Sequence, residues 1–197
     1  VDNNGELVDG DELIYIIAMH RLATGRSDAG VVGTLMSNLG LEVALREQGL
    51  QLQRAKVGDR YVKELMETQK WALGGESSGH IICSDVTTTG DGIVAALQVL
   101  AAMLAQKQSL RGLLSDLTLY PQLLVNVRFK GDSDPLSSDL VKKAQAKAEN
   151  QLGDSGRVLL RKSGTEPLLR VMVEGADSAL VEQCANDIAD AVRAACN

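Results

Sequence analysis

Val158-Leu159-Leu160-Arg161-Lys162-Ser163-Gly164-Thr165-Glu166-Pro167-Leu168-Leu169-Arg170-Val171-Met172-Val173 sets a polar segment between two apolar runs. Each run has the length and β-branched content of a buried strand, and the polar segment between them is rich in turn formers, so the stretch reads as strand, loop, strand. The loop offers the donor set that a phosphate dianion needs. Arg161 supplies a planar bidentate fork, Ser163 and Thr165 supply hydroxyl donors, and Gly164 lets the main chain approach an anion with no Cβ in the way. Arg170 shares strand parity with Leu168 and Met172 and so points away from Leu169, Val171 and Val173. On these residues alone, a plain hairpin whose Arg161 and Lys162 face water is the competing reading.

The surrounding text builds a small α+β domain over residues 119–197. Leu123 to Phe129 is a strand, and Asp132-Ser133-Asp134-Pro135 is a turn that starts a helix. Lys142, Lys143 and Lys147 lie on that helix as a solvated face. After the turn Gly153-Asp154-Ser155-Gly156 come the two strands around the polar loop. A last helix from Ser178 carries Val181, Cys184, Ile188 and Val192 on one side, which predicts an antiparallel sheet with helices on one face.

Tyr120-Pro121 marks the boundary, and residues 1–118 read differently. Asp9-Gly10-Asp11 opens a helix with Leu13, Ile16, Ile17, Met19 and Leu22 on its apolar side, closed by Gly25. His20 within it is a surface or packing residue. Val31 to Met36 is a strand buried on both faces, Ser37-Asn38 caps a second helix, Leu50 to Val57 alternates as a strand, and Gly58-Asp59 turns into a third helix with Asp59 as its N-cap. Strands alternating with helices predict an α/β domain with a mixed or parallel sheet and flanking helices, whose ligands bind beyond the carboxyl ends of the strands. Asp59-Arg60 falls at one such end. A cation in a first helical turn opposes the helix dipole, which suggests that Arg60 faces a negative ligand. Ile93, Leu97, Leu100 and Leu104 recur at helical spacing and form the apolar side of a long helix, and Ser109 to Leu117 adds a short one.

Between the strand-like Trp71-Ala72-Leu73 and Ile81-Ile82-Cys83 lies Gly74-Gly75-Glu76-Ser77-Ser78-Gly79-His80. An extended backbone would point Glu76, Ser78 and His80 the same way. A carboxylate, a hydroxyl and an imidazole on one side suit a polyhydroxylated ligand.

Composition excludes several classes. The formal net charge is -6, and aromatic residues make up 3% of the chain. An acidic chain with so few stacking platforms lacks the field and the surfaces that nucleic-acid binding uses. No apolar run approaches the length of a membrane span, and no signal-peptide pattern opens the chain, which suggests a cytoplasmic protein. Cys83, Cys184 and Cys196 have no CxxC spacing and no neighbouring histidine pair, so reduced thiols are expected and a zinc site is not. Cys83 and Cys184 read as small core residues.

Arg161-Lys-Ser-Gly-Thr-Glu-Pro together with Gly75-Glu-Ser-Ser-Gly-His resembles the phosphate-binding and sugar-binding loops of the α-D-phosphohexomutases. Val57-Gly58-Asp59-Arg60-Tyr61-Val62, Leu35-Met36-Ser37-Asn38-Leu39-Gly40 and Thr88-Thr89-Gly90-Asp91-Gly92 are most similar to the bacterial glucosamine-phosphate branch of that family. The resemblance runs in order over nearly the whole chain. It implies the third and fourth domains of a larger enzyme, with Glu76, Ser78, His80, Asp59 and Arg60 on the sugar and Arg161, Ser163, Gly164, Thr165 and Arg170 on the phosphate. It further implies a reversible shift of a phosphoryl group between the 6- and 1-positions of glucosamine phosphate, through a phosphoserine and a bisphosphorylated sugar, in the synthesis of amino-sugar and cell-wall precursors. Mg2+ would assist that transfer, held by an Asp-rich loop in the rest of the enzyme.

Neither that loop nor the serine is in this chain, so no catalytic or metal-binding residue is expected here. The turn Asn3-Asn4-Gly5, with only Val1-Asp2 before it, likewise reads as a cut through a longer polypeptide whose N-terminal half would be a partner. Mannose or glucose phosphate as substrate, or a noncatalytic phosphosugar-binding module, are the alternatives.

Overall fold

The computed structural model describes all residues except 130–133, Thr165 and Asn197. The expected turn at Asp132-Ser133 and the hydroxyl of Thr165 therefore lie outside the described residues. The chain divides into two compact units, Val1–Leu119 and Tyr120–Asn197.

In the first unit, strands β1 (Gly30–Thr34), β2 (Gln51–Ala55), β3 (Leu73–Gly75) and β4 (Ile81–Cys83) form one mixed sheet in the order β2-β1-β3-β4. β1 runs parallel to β2 and β3, and β4 runs antiparallel to β3. Consecutive residues of β1 enter different cores: Val31 packs with Ile14, Ile17, Leu41 and Leu45, while Val32 packs with Val62, Met66, Trp71 and Ile82. Alternate side chains of a strand leave by opposite faces, so a run apolar at every position must be covered twice. Helix α3 (Asp59–Gln69) covers one face; α1 (Gly10–Ala23), α2 (Leu39–Glu47) and α4 (Gly92–Gln106) cover the other.

The helix starts are specified locally. Asp9 caps α1 by accepting from the Glu12 backbone N–H, and Glu12 accepts in return from the Asp9 backbone N–H. Such a reciprocal box satisfies two donors that the helix geometry leaves over. Asn38 Oδ1 caps α2 through Gly40 N at 2.8 Å. Asp11, 1% exposed, accepts from Asn38 N at 2.8 Å and so ties the start of α1 to the start of α2. Burial pushes the Asp11 carboxyl up to about 6.

His20 is buried and packs in the interior, and its burial together with Arg26 and Arg21 lowers its pKa. Several expectations are corrected here. On α1, Leu22 is exposed while Ile14 and Tyr15 are inside, because the helix is enclosed on nearly every side and no single stripe describes it. The expected helix over 109–117 is only a 3-10 turn, Gly112–Leu114. The largest difference concerns α4. Ile93, Leu97, Leu100 and Leu104 face outward, and Ala95, Val99 and Ala102 face the core. α4 is apolar all round, so its spacing marks two candidate faces, and the smaller side chains let it seat closely.

The second unit is a three-stranded antiparallel sheet, β5 (Gln122–Arg128), β6 (Gly156–Lys162) and β7 (Leu168–Gly175), in the order β5-β7-β6. Helices α5 (Asp139–Leu152) and α6 (Ser178–Ala195) cover one face, where Val127, Leu169, Val171 and Val173 meet Val141, Val181, Ile188 and Val192. On the other face, Glu174 is fully buried and accepts from Arg157 and from Gln122 Nε2, its two cross-strand neighbours. A buried carboxylate is tolerable only when paired and hydrogen-bonded in this way.

Candidate functional site

The three parallel strands of the first unit end together, at Thr34, Ala55 and Gly75. The segments after β2 and β3 therefore emerge at one edge, and these segments carry Asp59, Arg60, Glu76, Ser78 and His80. The expectation of an extended Glu76–His80 segment is corrected. It is a tight turn, with Glu76 N donating to His80 O at 3.1 Å and Gly79 N donating to Glu76 O at 2.9 Å. Two short antiparallel strands are joined here, so the chain has to reverse within these residues.

The turn is seated on the start of α1. Gly10 N donates to Ser77 O at 2.8 Å. A Cβ on Gly10 would stand 2.1 Å from Glu76 O and 2.6 Å from Gly79 N, so only glycine permits the approach. The half-buried Glu76 points its carboxylate at the start of α3, where Oε1 accepts from Gly58 N at 2.9 Å. That corrects the expected N-cap: Gly58 holds the position, with no side-chain cap of its own, and Asp59 is the first helical residue. Glu76 supplies from another element the negative charge that a helix start favours.

His80 is turned toward Asp59, with Nε2 3.5 Å from Oδ2. Its ring lies close to Gly90, where a Cβ would stand 2.5 Å from ring atoms Cδ2 and Nε2. Lys63 Nζ donates to Thr88 O at 2.8 Å and holds that loop in place. A cavity of about 300 Å³ opens beside His80, lined also by Ser78, Gly79, Gly90 and Asp91. Arg60 is highly exposed and pairs with Glu64 at 2.8 Å, one turn along the same helix. Lys56, to which the sequence reading gave no role, stands over the Tyr61 ring at 5.8 Å at the same edge. Its place directly after β2, two residues before Gly58, was the available signal.

In the second unit, Arg161 lies directly opposite Arg170, and Asn126 lies opposite Arg170 on the far side, so the three form one row across the sheet. Directly opposed residues project from the same face, with Cβ atoms about 5 Å apart. Both arginines are half-buried, and among the described residues neither is in an ion pair. Like charges so placed destabilise a sheet by about 0.2–1 kcal/mol, and an anion between them reverses that sign. Lys162 is diverted to Asp134 at 2.7 Å. Glu166 is held by Arg128 at 3.0 Å. Ser163 N donates to Leu168 O at 2.8 Å, which closes the loop below Gly164, an exposed residue with open space where a Cβ would stand.

Among the described residues no group of three or more His, Cys, Asp or Glu side chains is placed to hold a metal ion. No helix among them is long and apolar enough to cross a membrane.

The two units correspond to two domains of one family. Residues 9–120 match phosphoglucomutase/phosphomannomutase, alpha/beta/alpha domain III, and residues 124–191 match phosphoglucomutase/phosphomannomutase, C-terminal domain. The chain belongs to the phosphoglucomutase/phosphomannomutase family.

Within that family it is similar to the phosphoglucosamine mutase of Aliivibrio fischeri, 59% identical over 196 residues that make up 100% of this chain and 44% of the relative. The phosphoglucosamine mutase of Edwardsiella ictaluri is 59% identical over 195 residues, again 44% of its length. The chain thus spans less than half the length of these relatives. Its fold is also that of Aspergillus fumigatus N-acetylphosphoglucosamine mutase, solved with GlcNAc-6P and magnesium (TM-score 0.77, 22% identity, 95% of this chain and 47% of that one).

Proposed function

We propose that this chain is the part of a phosphoglucosamine mutase that recognises substrate, with a hexosamine phosphate as ligand. The first unit binds the sugar. Glu76, fixed by Gly58, accepts from ring hydroxyls; Ser78 and His80 complete the pattern; Asp59 orients the imidazole, and Arg60 stands at the rim. The second unit binds the phosphate through Arg161 and Arg170, with Ser163, the Gly164 backbone and Thr165 as further donors.

The observation that carries this reading is the Arg161–Arg170 pair, two half-buried arginines directly opposed in the sheet and in no ion pair among the described residues. Like charges directly opposed disfavour that arrangement, whereas a dianion between them would favour it. The identity to phosphoglucosamine mutases supports the amino sugar over glucose or mannose phosphate.

The reaction would be the exchange of a phosphoryl group between the 6- and 1-positions of the sugar. A sugar that turns over between two transfers presents a phosphate from either end of its ring, which suits a phosphate site that reads only charge and shape. The phosphoryl donor and the metal would lie in the remainder of the polypeptide, as the resemblance implies, and this chain alone would turn over no substrate, behaving as a phosphosugar-binding module of the cytoplasm.

Titration calorimetry with glucosamine 6-phosphate, glucosamine and inorganic phosphate tests the reading. Glucosamine 6-phosphate is expected to bind more tightly than either part alone. Phosphate binding as tightly as the phosphosugar would remove the sugar from the account.

A further inference from the structure

The His80 ring is held from two sides. Nε2 stands 3.5 Å from Asp59 Oδ2, and a Cβ on Gly90 would stand 2.5 Å from that same Nε2 and from Cδ2. The ring edge that faces the carboxylate is therefore the edge that Gly90 backs, and only a residue without a Cβ leaves it room. The atoms such a Cβ would meet are the far end of a side chain, so the ring would yield and the backbone would not. Gly90 belongs to the segment between β4 and α4, which is anchored at both ends. Val86 N and Thr87 N donate to Cys83 O, and Asp91 caps α4 through Ile93 N and Val94 N. Between these anchors, among the described residues, positions 88–90 have one hydrogen bond, from Lys63 Nζ to Thr88 O at 2.8 Å. Lys63 lies one turn beyond Asp59 on the same face of α3. Successive turns of one helix thus hold the imidazole and the wall behind it.

We propose that Gly90 and Lys63 are positioning residues for His80: they keep Nε2–H directed at Asp59, which leaves Nδ1 of the neutral ring as an acceptor for a hydroxyl or ammonium proton of the sugar. The assignment rests on the reading of His80 as a sugar-binding residue. A neutral imidazole has one donor and one acceptor nitrogen, and a carboxylate beside Nε2 favours the tautomer that carries its proton there. A ring free to turn would exchange the two and present a donor as readily as an acceptor. The Glu76 carboxylate can only accept, so the locked ring adds a second acceptor to the same side of the site.

The test reads the His80 ring by nitrogen–proton correlation NMR in this chain without ligand, at a pH of about 8, where an ordinary imidazole is neutral. The chain has two histidines. His80→Asn assigns the signals, and the buried His20 serves as internal reference. The parent is expected to show the tautomer protonated at Nε2. Gly90→Ala should populate both tautomers, Lys63→Met should do so to a smaller extent, and Lys63→Arg, which keeps a donor, should restore the parent pattern. Glucosamine 6-phosphate should bind Gly90→Ala about threefold or more weakly, as for loss of one neutral hydrogen bond, with inorganic phosphate unaffected. Mixed tautomers in the parent, or a parent pattern that persists in either Gly90→Ala or Lys63→Met, overturn the proposal and leave the sugar reading standing. Altered tautomers with unaltered sugar affinity uphold the positioning and remove His80 from the sugar site instead.

Discussion

The polar turn of the first unit and the arginine row of the second, the two halves of the proposed site, are built in opposite ways. Around Glu76 nearly every polar group is already engaged: the carboxylate with Gly58 N, the turn carbonyl of Ser77 with Gly10 N, the His80 ring between Asp59 and Gly90. Around Arg161 the neighbouring charges are drawn off to other partners, Lys162 to Asp134 and Glu166 to Arg128, while Arg161 and Arg170 stand directly opposed in the sheet with no ion pair among the described residues. The first site is held by hydrogen bonds whatever occupies it. The second is a pair of like charges, which the proposed phosphate would balance. A sugar ring with directional hydroxyls would suit the first kind of site, and a phosphate dianion the second.

The sharpest way to break the contrast is to unseat the turn. Gly10→Ala places a methyl group 2.1 Å from a backbone oxygen that cannot rotate away. A loss on the order of 3 kcal/mol in the first unit is expected, as for other overpacked sites, while the second unit unfolds as before. Calorimetric melting resolves the two, and an unaltered first transition would mean that the turn is not rigidly seated.

The first unit should also carry its own pH dependence, through Asp11. Its carboxyl is raised from 3.8 to about 6 by burial, so between those values the unfolded chain has ionised the group while the folded chain keeps its proton. This contribution to stability is therefore full below pH 3.8, falls as pH rises, and is gone above about 6. The span corresponds to at most about 3 kcal/mol. Asp11→Asn should flatten the profile between these limits, and an identical profile in the variant would contradict the assignment.

Glu76→Gln is expected to have a smaller effect. The amide still accepts from Gly58 N, so stability should hold, but sugar hydroxyls lose a charged acceptor. Binding of glucosamine 6-phosphate should weaken about fivefold, roughly 1 kcal/mol, and that of inorganic phosphate should not change. Equal weakening of both ligands would blur the distinction between the two sites.

Much of the fold could be read from local patterns because the physics there is local. The uninterrupted apolar run at Val31–Val32 demands two covered faces, and the polar segment between the apolar runs at 158–160 and 168–173 demands a reversal between two strands. Where pattern failed, two local solutions were degenerate. The apolar residues of α4 describe either face of the helix, and only the fit of Ala95, Val99 and Ala102 against the core decides between them. Residue spacing suggested an extended Glu76–His80 segment, but the antiparallel pairing of β3 with β4 requires a reversal there. Asp59 has the chemistry of an N-cap, yet the position went to Gly58 because Glu76, distant in sequence, supplies the charge. Parity showed that Arg170 points away from the core; that it stands opposite Arg161 depends on register, which the loop length sets.

The most direct test of the account is calorimetric titration of glucosamine 6-phosphate into the parent chain, Arg161→Ala and Lys162→Ala. Loss of a charge-assisted phosphate contact, about 1.5–3 kcal/mol, predicts at least roughly tenfold weaker binding for Arg161→Ala. Lys162, already committed to Asp134, should give an affinity within about twofold of the parent, as exposed ion pairs contribute little. Equal losses at the two positions would show that the loop attracts phosphate only through its overall charge, and the arginine row would not be its anchor.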